Sequence, residues 1–175
     1  LNYRPALEVY KDAIQAHCGE ALRARPFFEM AKGFPFGIET LDAEMLVRDP
    51  VVASENGMTC VGEVPENAIV YVLQGVLDEL LAAARDATAS CGPDGASDLL
   101  LFDCISRRLY MNDGFEREMA SINAGLTEGT NLVGALSLGE IANSSSGSIQ
   151  FHNKAVVVGA AGRAPSATVT RQLQV

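Results

Sequence analysis

The sequence predicts an α/β fold: a mixed sheet of about six strands with helices packed on it. Three observations point there. Short β-rich runs alternate with segments of helical length and periodicity. The pair Asn56-Gly57 between two apolar runs marks an antiparallel hairpin. The run DLLLFDC (98–104), almost continuously apolar, follows a helix that itself follows a strand, the pattern of a βαβ crossover whose inner strands are buried on both faces.

Taken in order, PALEVYKDAIQAH (5–17) sets Leu7, Tyr10, Ile14 and His17 on one helical face, with Pro5 suited to the first turn. RPFFEMAKGFPFGIET (25–40) is punctuated by Pro26, Gly33, Pro35 and Gly37, which allows a short helix and a turn but no long element. EMLVRDPVVAS (44–54) and MTCVGEV (58–64) form the N-terminal hairpin, and AIVYVLQG (68–75) is a third strand. VLDELLAAARDATAS (76–90) has the alanine and leucine content of a helix and stops at Cys91-Gly92-Pro93. After the central run, GFEREMASINAGL (114–126) turns Phe115, Met119, Ile122 and Leu126 inward. NLVGALSLGEI (131–141) and KAVVVGAA (154–161) complete the sheet. RAPSATVTRQLQV is polar and short of core residues, so residues 1–161 are expected to form one domain and 162–175 a flexible tail or linker.

Composition excludes several functions. The chain has 175 residues, 48% of them hydrophobic, enough for a core of its own. Its formal net charge of −9, with 13 Lys and Arg in total, argues against nucleic acid, because phosphate contacts need clustered cations. No apolar run reaches the roughly 18 residues of a membrane span, and LNYRPALEVY lacks the regions of a signal peptide. A cytoplasmic protein without membrane contact is expected. The scattered Cys18, Cys60, Cys91 and Cys104 agree with free thiols in a reducing compartment, and they form no zinc pattern. The sequon at Asn143 is then inert. Because the first residue is Leu1 and a helix starts almost at once, the chain reads as a piece of a longer one.

The candidate site lies in LLLFDCISRR (99–108), where a buried strand runs into two cations. Ligands of open α/β sheets bind beyond the carboxyl ends of strands. The strand ending at Cys104 and the one ending at Glu140 flank a single helix, so Asp103, Cys104, Ser106, Arg107, Arg108, Glu140 and the loop at 142–153 should share one rim. Cations beside a helix start are unfavourable unless an acid or an anion answers them. Two answers remain open. One is an internal ion pair with Glu140 or Asp103. The other is a ligand carboxylate or phosphate held by Arg107, or failing that Arg108, with Glu140 balancing it.

CISRR, the GEI of SLGEIANSSSG and the closing HNKAVVV together resemble the C-terminal half of the FIST family of sensory domains. PALEVYKDAI, RPFFEMAKGFPFGI, VRDP and GEVPENAIV resemble that family's earlier blocks in the same order, over about residues 3–161. The resemblance implies a small-ligand-binding sensory domain in a bacterial signal transduction chain, with amino acids or other small anionic metabolites as suggested ligands. Its partners would be the family's N-terminal half or a kinase. Some members of the family bind haem and report nitric oxide. Carried over onto matching positions, the ligand-binding residues are Cys104, Ser106, Arg107, Arg108, Gly139, Glu140, His152 and Asn153. Two departures bear on this. Many members have glycine where Ser106 stands, and an aromatic, threonine-containing run where this chain has GALSLGEI; the N-terminal half is also not present.

No catalysis is expected. A serine from 144–146 with His152 and Glu140 offers the residue types of a hydrolase without a GxSxG elbow. Cys104 beside two arginines offers a thiol of lowered pKa, against the plainer reading of a small residue closing a strand. His17 and His152 are the two histidines available to haem, and both have ordinary structural explanations. No cofactor is required. The remaining alternative is a docking module, with Phe27, Phe28, Phe34 and Phe36 as either its apolar surface or core.

Overall fold

The computed structural model describes residues 1–19, 24–40, 45–55, 57–91, 98–143, 148–161 and 169–171. The fold is mixed α/β, and the chain divides into two compact units, Leu1–Gly75 and Val76–Val175.

In the first unit, helices α1 (Ala6–Cys18) and α2 (Phe27–Ala31) accompany an antiparallel sheet ordered β3-β2-β1-β4, with β1 Phe36–Glu39, β2 Met45–Ser54, β3 Gly57–Val61 and β4 Val70–Val72. Tyr10 and Ile14, one turn apart on α1, are buried with Met30, Ala31, Phe34 and Phe36. The Tyr10 ring meets Phe36 edge-on at 5.1 Å, and its hydroxyl donates to the Phe34 carbonyl at 2.6 Å, which satisfies the polar end of a buried aromatic. The expected hairpin is present as β2 paired with β3; Asn56 lies outside the described residues. Its ladder shifts register between Pro50 and Val52, where proline has no N–H to give.

In the second unit the sheet is ordered β10-β9-β5-β6, with β5 Asp98–Cys104, β6 Asn131–Ser137, β9 Val156–Ala161 and β10 Val169–Arg171. Strand β5 pairs parallel to β6 and antiparallel to β9. Between β5 and β6 run α4 (Ile105–Met111), a 3-10 turn and α5 (Phe115–Ala124), preceded in the chain by α3 (Leu77–Cys91). A two-stranded hairpin, β7 (Glu140–Ala142) with β8 (Gln150–His152), completes the unit. The core joins Ala84, Ala87 and Cys91 of α3 to Leu99, Leu101, Ile122, Val156 and Val158. Alanines let α3 and α5 approach closely, and Gly125 just past α5 has no room for a Cβ against the Arg85 carbonyl.

Four details differ from the sequence reading. The strands form separate sheets rather than one of six. The residues of 68–75 that form a strand pair with β1, a strand hidden in the glycine- and proline-punctuated 25–40 segment, so the parallel crossover is β5 to β6, one step later than expected. Strand β5 alternates instead of being buried throughout: Leu99, Leu101 and Asp103 are inside, while Leu100 and Phe102 are exposed. Part of the expected tail is the strand β10, held by backbone pairing with β9 that needs no apolar side chains.

Candidate functional site

The site grows from the end of β5. Strand alternation puts Asp103 on the covered face with Leu99 and Leu101, and the chain then turns into α4 with Cys104 at its N-cap. Arg107 follows one helical turn after Asp103. Its guanidinium is completely buried: Nε and Nη2 both donate to Glu118 Oε1 of α5, the first at 2.7 Å. Nη2 also donates to the Leu80 carbonyl of α3 at 2.9 Å, and Nη1 to the Lys154 carbonyl at 3.2 Å. Nε lies 3.5 Å from Asp103 Oδ1. The acid that answers Arg107 is therefore Glu118, with Asp103 second, and not Glu140. One side chain ties α3, α4, α5 and the segment before β9 together.

Glu118 could have been found from sequence. It falls between Phe115 and Ile122 on the inward stripe of α5, three and four residues from them, so a carboxylate there has to be buried and has to be met.

Glu140 and His152 stand directly opposite each other in the β7–β8 register, both buried. Glu140 Oε1 accepts from Ser137 Oγ at 2.6 Å. His152 Nε2 shares a hydrogen bond with the Ala142 carbonyl at 3.1 Å. Gly139 is needed for closeness: a Cβ there would run into the Phe151 ring and sit 3.0 Å from the His152 carbonyl. Asn153 and Lys154 are buried beside this hairpin's end. Ser106, half-buried, lies 3.2 Å from the Cys104 thiol. Arg108 is exposed, donates to the Asn112 carbonyl at 2.9 Å and lies over the Phe115 ring at 5.4 Å. Cys104 is in register with Ser137, the last residue of β6; Glu140, expected to end that strand, instead begins β7, because the 131–141 segment divides into two strands.

Burial dominates the electrostatics. Desolvation, reinforced by Glu118 and Glu140 and opposed by Arg107, raises the Asp103 carboxyl to about 8. Desolvation raises Glu140 to about 7 against the favourable Ser137 hydroxyl, and it raises Glu118 against Arg107. Cys104 is also raised, by burial and then by Glu140, which speaks for the plainer reading of a small buried residue closing the strand and against the activated-thiol alternative: the guanidinium of Arg107 is spent elsewhere.

Two cavities matter. An open cleft of about 1190 Å³ in the first unit is walled by α1, β4 and residues 64–69, and His17 lies on it, exposed, sharing a 3.0 Å hydrogen bond with Gln74 Oε1. A smaller one of about 280 Å³ lies in the second unit between β5, β6 and α5. Its walls are Leu101, Phe115, Met119, Ile122, Leu132 and neighbouring apolar residues, with Asn123 and Asp103 as its polar groups. Neither oxygen of Asp103 has a hydrogen-bond partner among the described residues. The smaller cavity is the better candidate because a buried acid, Asp103, is part of its wall.

The FIST C domain family matches the chain over residues 6–143. The chain belongs to that family. No curated protein and no solved structure matches it. FIST C domains are sensory domains of signal transduction proteins. In this FIST C domain the serines 144–146 lie outside the described residues. Among the described residues no group of His, Cys, Asp and Glu is arranged to hold a metal ion, and no helix is long and apolar enough to cross a membrane. For haem, His152 does not fit, being buried with its Nε2 engaged by Ala142. His17 lines a cavity large enough but would have to give up Gln74. Of Phe27, Phe28, Phe34 and Phe36, the last two are core, Phe27 packs half-buried against them and Phe28 is exposed.

Proposed function

We propose that this FIST C domain is a non-catalytic sensor that holds a small molecule in the cavity between β5, β6 and α5. The observation that carries this reading is an apolar cavity of about 280 Å³ with a buried carboxyl, Asp103, that has no hydrogen-bond partner among the described residues. Apolar walls with few polar groups suit binding and orientation. Two features speak against catalysis: the Cys104 thiol is held protonated, and the His152 ring nitrogen is engaged by backbone. Arg107 and Glu118 brace the helices beside the cavity without lining it, and Cys104, Ser106, Gly139, Glu140, His152 and Asn153 shape the adjoining strand ends.

The test is a thermal-shift panel of amines, amino acids, organic acids and haemin on the full chain and on Asn123→Phe. Asn123 is exposed at the mouth of the cavity, so phenylalanine there blocks entry without disturbing the core. A compound that raises the Tm of the parent and not of the variant occupies the cavity. If no compound does so, the reading fails. Haemin binding removed by His17→Ala would move the ligand site to the first unit.

A further inference from the structure

Resting on that reading, we infer that the cavity between β5, β6 and α5 selects a small apolar amine, its ammonium group paired with Asp103. The argument is one of charge and size. Asp103 is 1% exposed, lines the cavity, and accepts no hydrogen bond among the described residues. The charged groups that face it are Arg107 of α4, Glu118 of α5 and Glu140 of β7. Arg107 is already committed to Glu118 through two nitrogens and to two carbonyls, so its help to Asp103 is limited to the 3.5 Å approach of Nε. A carboxylate without a hydrogen-bond donor in an apolar site is costly, and an ammonium supplies both the donor and the opposite charge.

An anionic ligand is disfavoured in the same place, because it would meet Asp103 with Glu118 and Glu140 behind it. A zwitterion brings the same problem with its carboxylate, since the lining residues include no cation. At about 280 Å³ the cavity suits a small ligand such as phenethylamine. Its alcohol analogue has the same shape and no charge.

The pairing also sets a proton balance. In the empty domain near neutral pH the Asp103 carboxyl carries its proton, with a pKa of about 8. Binding of the ammonium form ionises it, and one proton leaves to solvent. Affinity should therefore fall about tenfold for each pH unit below about 8.

The experiment is calorimetric titration of the full chain with phenethylamine, phenethyl alcohol, phenylacetate and phenylalanine at pH 6 and 8, repeated with Asp103→Asn and Asn123→Phe. The proposal expects phenethylamine to bind at least tenfold tighter than the other three at pH 8. It also expects proton release on binding at pH 6, and loss of at least tenfold in Asp103→Asn, which keeps the shape of the side chain. Alcohol binding should survive in Asp103→Asn and disappear in Asn123→Phe. If the alcohol or an acid binds the parent as tightly as the amine, or if Asp103→Asn binds the amine unchanged, the amine assignment is overturned while the cavity reading stands. If none of the four binds the parent, the amine assignment fails, and the wider panel decides the cavity reading separately.

Discussion

A fully buried arginine holds three helices of the second unit in place. Arg107 stands in the first turn of α4, where the helix dipole opposes a cation, and the structure answers it with Glu118 and Asp103 rather than with solvent. Removing Glu118 leaves a buried guanidinium without its carboxylate. Glu118→Ala should therefore destabilise the fold by about 3–5 kcal/mol. In a chain of this length that lowers the Tm by about 10 °C or more. Arg107→Lys keeps the charge but cannot span Glu118 and the Leu80 and Lys154 carbonyls at once, so it should also lower the Tm. Thermal unfolding decides the matter: if Arg107→Lys melts within about two degrees of the parent, Arg107 is not a clamp. The sequence predicts an acid opposite this arginine and offers Glu140 or Asp103; the principal partner, Glu118, is not among them. That choice depends on which helix crosses the end of β5, a tertiary fact that Glu118's position on the inward stripe only hints at.

At the scale of elements, β5 and its neighbours explain what was legible. The apolar run at 98–104 does form an inner strand of its sheet, flanked by β6 and β9. It reads as doubly buried because Leu100 and Phe102 are as apolar as Leu99 and Leu101; only the structure shows that Leu100 and Phe102 are exposed. Strand β1 was missed because four residues between Pro35 and residue 40 give too short a pattern to separate strand from turn. Once β1 exists it occupies the edge of β4, and the expected crossover partner is lost. Amide exchange checks the pairing directly. The amides of β5, bonded on both sides, should exchange far more slowly than those of β6, an edge strand of the order β10-β9-β5-β6. Equal protection in β5 and β6 would count against β6 as an edge.

At the scale of the whole molecule, the order of family blocks along residues 6–143 was readable, whereas the division into separate sheets was not. Apolar periodicity says which face of an element is buried, not which sheet it joins, and the core clusters around Tyr10 and around Leu99 draw on residues with the same pattern. What the whole molecule does add is a pH dependence of stability. Asp103 rises from its ordinary 3.8 to about 8 on folding and Glu140 from 4.5 to about 7, in both cases because burial disfavours the charged form. Below about pH 4 both groups are protonated in the folded and unfolded chain, and their contribution to stability is full. As pH rises the unfolded chain ionises first while the fold keeps its protons, so stability is lost progressively from about pH 4 until it levels off above about 8. The net charge of −9 pushes in the same direction through self-repulsion, but salt screens that part and leaves the buried groups little affected. Unfolding measured from pH 5 to 9 at high salt should show a falling Tm for the parent chain. The double variant Asp103→Asn, Glu140→Gln removes both protons from the balance and should flatten the curve. If the double variant keeps the parent's slope at high salt, the buried carboxyls do not govern the pH response, and the desolvated state assigned to Asp103 is wrong.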